Sequence, residues 1–147
     1  MVFDAAGNLY FADSANNRIR RIDTHGIITT FAGTGVAGYS GDGGPTNKAQ
    51  MQPDDPVFDP GGNLYIAEFN NHVVRMVDSN GNIRTVAGTG KAGCSGYGGP
   101  ATRAKISAPL SPVFDSEGNL YFTDQGCQVV LRVDRSGIIS VVAGSPR

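Results

Sequence analysis

The sequence contains no tryptophan, two cysteines, two histidines and no apolar run near the roughly 18 residues that a membrane-spanning helix needs. Each shortage narrows the field. Without Trp, and with 39% apolar residues, a core has to be built mainly from Val, Ile, Leu, Phe and Tyr. The histidines, His25 and His72, stand at unrelated places and make neither a zinc set nor a catalytic triad. The cysteines, Cys94 and Cys127, fall at non-equivalent places of the repeat described below. Their number permits one bridge but gives no disulfide framework, so the sequence favours free thiols and leaves a single bridge as the alternative. Excess charge is also missing: 12 basic against 13 acidic residues leave a net charge of −1. That balance removes the electrostatic argument for nucleic acid or an anionic membrane surface as a partner. No leader pattern of basic, apolar and small residues precedes Val2-Phe3-Asp4. The chain therefore reads either as a cytosolic protein or as a segment of a longer one, and its compartment stays open.

What is present is repetition. The 21 Gly and 8 Pro would suggest disorder if scattered, but they recur at matching positions and so mark turns. One stretch occurs three times, starting at Asp4, Asp59 and Asp115, and each copy is one structural unit of an array. A unit opens with a short apolar stub (Val2-Phe3, Val57-Phe58, Val113-Phe114) and an Asp-led turn containing Gly7, Gly62 or Gly118. Next come an aromatic and branched strand (Leu9 to Ala12, Leu64 to Ala67, Leu120 to Thr123), an acid (Asp13, Glu68, Asp124) and a short loop. A third strand follows at 18–22, 73–77 and 129–133. The Asp-x-x-Gly turns ending at Gly26, Gly81 and Gly137 then lead to a fourth strand at 27–31, 82–86 and 138–142. Those three glycines are expected at positive φ, because each turn joins two strands with little room.

Four short strands in series make an antiparallel meander. The strands show continuous apolar runs rather than alternation, which is the mark of a sheet covered on both faces. A four-stranded sheet covered on both faces and repeated at this period is a propeller blade. A two-layer sandwich would leave one face wet and would require alternation. The fold class is thus all-β, a β-propeller segment with blades at 1–33, 56–88 and 112–147 joined by connections at 34–55 and 89–111. The connections run from Ala-Gly-Thr-Gly to Gly-Gly-Pro and carry short stretches of helical character at 46–52 and 101–107.

The string from Val2 to Asp23, with Gly-Asn-Leu-Tyr-Phe-Ala-Asp and Asn-Asn-Arg-Ile-Arg, resembles the NHL repeat, and the connections are similar to those of bacterial NHL-repeat proteins. The resemblance implies a β-propeller, commonly of about six blades, and allows a secreted or cell-surface parent protein. The third unit departs from the pattern at Gln125-Gly126-Cys127-Gln128, which weakens any role carried over to it by position. Some relatives of this kind are zinc-dependent lyases; two histidines in three units supply too few ligands for that chemistry. Three blades would cover about half of such a ring and expose apolar faces, so a homodimer closing the ring is expected.

Two motifs have plainer readings. Residues 33–38 and 88–93 both spell Gly-x-Gly-x-x-Gly, yet a meander precedes them and more glycine follows, so no dinucleotide or other cofactor is expected. The acids Asp13, Glu68 and Asp124 are read as capping their own loops or pairing with a nearby Arg such as Arg18, rather than as a cation ring. Function is then that of a non-enzymatic scaffold or binding module for an unknown protein or small molecule. The alternative is a metal-dependent lyase or hydrolase completed by oligomerisation or by further blades. Connectivity puts both Asp-led turns on one side of each unit, and the short loops and long connections on the other. The loop side differs between units. Its candidate ligand-binding residues are Tyr39, Asp42, Phe69, Asn71, His72, Tyr97, Gln125 and Gln128, aromatic, amide and charged groups suited to stacking and hydrogen bonding.

Overall fold

The computed structural model describes residues 1–146. The first sheet contains β1 (Val2–Phe3), β2 (Leu9–Asp13), β3 (Arg18–Ile22) and β4 (Ile28–Ala32). The second contains β5 (Asp55–Phe58), β6 (Leu64–Glu68), β7 (Val73–Val77) and β8 (Ile83–Ala87). The third contains β9 (Pro109–Phe114), β10 (Leu120–Asp124), β11 (Val129–Val133) and β12 (Ile139–Gly144). Each is an antiparallel meander with its strands in chain order, as a propeller blade requires.

The turn chemistry explains the strand boundaries. Asp78 Oδ1 accepts the N–H groups of Asn80 at 2.9 Å and Asn82 at 3.0 Å, and Asp23 and Asp134 do the same in their own units. Gly26, Gly81 and Gly137 close these turns at φ 79°, 77° and 80°. A Cβ on Gly81 would meet nothing within 4 Å, so backbone conformation alone demands glycine there. Replacing Gly81 by Val should therefore destabilise the chain by roughly 1–3 kcal/mol, through strain at positive φ and not through any clash. An unchanged melting temperature would contradict this.

The inner strands of the second and third blades are longer than their apolar stubs. β5 starts at Asp55 and β9 at Pro109, and β9 absorbs one extra residue as an irregularity opposite Tyr121 to Thr123, with Ser111 at φ 52°. The expected helical stretches shrink to single 3₁₀ turns at Thr46–Lys48 and Ala101–Arg103. Thr46 N–H is committed to Gly81 O at 2.9 Å and Ala101 N–H to Gly137 O at 2.8 Å, which ties both stretches to sheet edges and leaves little chain for helix.

The core lies between blades. One layer joins Tyr10, Ile19, Met51, Leu64, Ile66 and Ile83, and the next joins Val74, Ile106, Phe122, Leu131 and Ile139, so residues of the connections fill both. Burial follows position in the array: every residue of β7 in the middle blade is buried, whereas most of β3 in the first blade is only partly so. An aromatic pair is repeated at each boundary. Tyr10 meets Phe58 edge-on with centroids 5.1 Å apart, and Tyr65 meets Phe114 at 4.7 Å. The Tyr of one blade thus packs on the Phe of the next, and such a pair contributes about 0.5–1.5 kcal/mol beyond burial. Phe3 of the first blade is 65% exposed, and among the described residues neither it nor Tyr121 has an aromatic partner.

Candidate functional site

The densest polar cluster sits where the connection between the first two blades crosses the second. Arg75 of β7 is fully buried, as is Glu68 at the end of β6. The guanidinium donates to Asp42 Oδ1 from Nε at 3.0 Å and from Nη2 at 2.8 Å, to Ser40 O at 2.7 Å, to Gln50 O at 2.9 Å and to Glu68 Oε2 at 3.5 Å. Tyr39 covers it, its ring centroid 5.2 Å from Cζ. Asn71 Nδ2 donates to Glu68 Oε1 at 3.0 Å and to Gly38 O at 2.8 Å. Glu68 also accepts Gln52 N–H at 2.7 Å. Burial pushes the Glu68 carboxyl up from its ordinary range, while Arg75 and the donors from Gln52 and Asn71 pull against it. Charges this deep persist only when paired, and the pairing pins the connection to the blade.

Repeat alignment then shows what happens at the next boundary. Tyr39, Asp42, Asn71 and Arg75 correspond to Cys94, Tyr97, Cys127 and Leu131. The polar set is exchanged as a whole for an apolar one, stapled by a Cys94–Cys127 disulfide with Cα atoms 5.7 Å apart. The bridge, the less favoured of the two sequence alternatives, is therefore the one formed. The non-equivalence of the cysteines in the repeat was the clue: the positions they occupy, those of Tyr39 and Asn71, face one another across connection and blade. Asp124, with no arginine paired to it among the described residues, accepts three backbone N–H groups instead, from Ser107 at 2.8 Å, Ala108 at 3.0 Å and Cys127 at 3.1 Å.

Each acid thus holds its own loop, Asp13 through Asn16, Glu68 through Asn71 and Asp124 through Cys127, and Glu68 and Asp124 also latch the incoming connection. Their arginine partners differ from the expectation. Asp13 lies 3.7 Å from Arg20, two residues beyond Arg18 on β3, and Arg18 instead donates to Thr34 O at 3.5 Å. The division into a turn side and a loop side also needs correcting. Gly43 N–H donates to Ile83 O at 2.8 Å and Ile83 N–H to Gly44 O at 3.0 Å, and Gly98, Gly99 and Ile139 repeat the pattern. Strand twist swings the outer edge of each blade toward its neighbour, so the connections reach the Asp-x-x-Gly turns as well as the loops.

The eight candidate residues are consequently dispersed. Tyr39, Asp42 and Asn71 converge on Arg75, which sequence reasoning passed over because a lone Arg in an apolar strand gives no motif. His72 holds φ 57° and its Nδ1 bonds Ser107 O in the following connection. Phe69 N–H donates to Asp54 Oδ2 at 2.7 Å, and burial raises the Asp54 carboxyl, against that bond and with help from Asp55. Gln125 and Gln128 border a hollow of about 520 Å³ on the open flank of the third blade. Tyr97 packs against the core of that blade, and its hydroxyl is buried without a hydrogen-bond partner among the described residues. Tyr97→Phe should therefore raise stability by about 1 kcal/mol, since it removes an unsatisfied polar group and keeps the ring. A loss in the urea midpoint would show that the hydroxyl has a partner.

A separate groove of about 720 Å³ opens on the turn side between the second and third blades, bordered by Tyr65, Phe114, Arg84, Glu117, Asp134 and Arg135. Among the described residues no three His, Cys, Asp or Glu converge as a metal-binding set.

No known protein-family pattern matches the chain. Mouse teneurin-3 is 30% identical across 95% of it, a stretch that makes up 5% of the teneurin. Among solved structures, virginiamycin B lyase from Staphylococcus aureus superposes on 95% of the chain at TM-score 0.64 and 22% identity, the match taking in 39% of the lyase. An auxiliary nutrient binding protein from Bacteroides thetaiotaomicron does so over 95% of the chain at TM-score 0.69 and 20% identity, covering 34% of that protein. The chain therefore spans a small part of the relatives it matches, and the similarity shows its fold: three blades of a β-propeller.

Proposed function

We propose that the chain is an NHL-type segment of a larger propeller and acts as a non-enzymatic binding or scaffold module, with blades at 1–33, 56–88 and 112–147. The observation that carries this reading is the use to which the polar groups of the loops are put. Arg75, Asp42, Glu68, Asn71 and Asp124 are engaged in holding blades and connections together. The outward groups left for a ligand are Phe69, Gln125 and Gln128 on the loop side. In this reading a protein or small molecule binds there.

Complementary flanks support self-association. Phe3 lacks a Tyr from a preceding blade and Tyr121 lacks a Phe from a following one, so two copies meeting head to tail at both seams supply each with its partner. Light scattering at micromolar concentration should return twice the 15.3 kDa chain mass, and Phe3→Ala should shift the equilibrium toward the monomer. A monomer mass for the unaltered chain overturns the homodimer.

The disulfide supports residence in an oxidising compartment, as part of an exported or cell-surface protein. A second reading, an enzyme completed by further blades, is favoured only by Asp54, whose raised carboxyl sits beside Asp55 on the innermost strand of its blade. Stoichiometric zinc or calcium in the purified protein would move the balance to that reading.

A further inference from the structure

The connections and the blades that receive them match as sets, and the first blade carries a receiving set that, among the described residues, bonds neither connection. In the second blade, Glu68, Asn71 and Arg75 grip Gln52 N–H, Gly38 O, Ser40 O, Gln50 O and the Asp42 carboxylate. In the third, Cys127 and Leu131 receive Cys94 and Tyr97. The first blade has Asp13, Asn16 and Arg20 at these positions, the polar version. They already hold the spacing seen in the second blade, with Arg20 Nε donating to Thr29 O at 3.4 Å where Arg75 Nε donates to Asp42. Asn16 Nδ2 donates to Asp13 Oδ1 at 2.9 Å, against 3.0 Å for Asn71 and Glu68, and Arg20 lies 3.7 Å from Asp13, against 3.5 Å for Arg75 and Glu68.

The edge strand tells the same story. Ile83 and Ile139, each paired with the Gly-Gly of a connection, are 1% and 0% exposed, while the equivalent Ile28 is 48% exposed. Both connections of the chain are already seated on the second and third blades.

We infer that the first blade is an acceptor for a third arm: a glycine-rich polypeptide segment with a Tyr and, three residues later, an Asp, whose carboxylate pairs with Arg20 and whose Gly-Gly covers Ile28. Charge decides the choice of occupant. Arg20 calls for a carboxylate where Leu131 accepts the Tyr97 ring, so an arm of the Cys94–Tyr97 kind does not fit. This acceptor does not depend on ring closure by a second copy, because the seam contacts of Phe3 and Tyr121 lie on β1 and β10 and the arm site on β3, β4 and the loop that leads into β3.

The test uses a fluorescein-labelled peptide of residues 34–52, titrated with the full chain and followed by anisotropy. Saturable binding is expected, weaker by roughly tenfold or more for the Asp42→Tyr peptide and for an Arg20→Leu chain, the range for losing a charged hydrogen bond. A peptide of residues 89–107 with Cys94→Ser should not bind. Arg20→Leu copies Leu131 of the third blade, and Arg20→Gln serves if it lowers the melting temperature. Absence of binding up to about 1 mM, equal affinity for the two arm types, or affinity unchanged by both Arg20 variants would overturn the inference.

Discussion

Replacing Arg75 by Leu is expected to lower the unfolding free energy by about 3–5 kcal/mol, the range for removing one partner of a buried ion pair. Volume is not the cause, because Leu131 occupies the same position in the third blade without difficulty. The loss comes from what stays behind. Glu68 would remain fully buried with Gln52 N–H and Asn71 as its remaining donors, the carbonyl of Ser40 would lose its donor, and that of Gln50 would keep only Ser40 N–H at 3.4 Å. Combining Arg75→Leu with Asp42→Tyr rebuilds the pairing found between Leu131 and Tyr97, so the double variant should recover part of the loss. A urea-denaturation double-mutant cycle measures this coupling. If Arg75→Leu left the urea midpoint unchanged, the cluster would have no role in joining the first two blades.

Reducing the Cys94–Cys127 bridge is expected to cost about 4 kcal/mol, from the entropy returned to an unfolded chain with the 33-residue closure opened. Domains of this size are stable by about 5–15 kcal/mol, so the loss is a large fraction of the whole. It should also be local. The bridge ties the second connection to the loop before β11, so hydrogen exchange should quicken at the third blade and leave the boundary around Arg75 protected. Cys127→Ser should behave like the reduced protein. Coincident midpoints with and without reductant would show that the bridge holds nothing the rest of the boundary does not.

The sequence made the blades plain because their turns are local. Asp and Gly at fixed offsets dictate where β3 ends and β4 begins, and the third strands fall on 18–22, 73–77 and 129–133 as read from the sequence. The contacts between repeats were not legible in the same way. Arg75 meets Asp42 across 33 positions, and Cys94 meets Cys127 across the same distance, so neither pair forms a motif along the chain. Alignment of the repeats against one another contained the signal. Four positions change character together between the first boundary and the second, and such joint exchange marks residues in contact. The candidate ligand-binding residues were chosen because the units differ there, and part of that difference lies in how successive blades are fastened.

The connections that reach across to Gly81 and Gly137 also finish the sheets. By bonding Ile83 and Ile139 they occupy the first open N–H and C=O groups on β8 and β12, groups that would otherwise recruit a foreign strand. Among the described residues Ile28, the corresponding residue of β4, has no such Gly-Gly partner, and Ile27 beside it is 59% exposed. A free edge flanked by apolar side chains is a template for intermolecular β-pairing. A charged residue such as Lys in place of Ile28 would oppose such pairing at this edge without touching any boundary between blades.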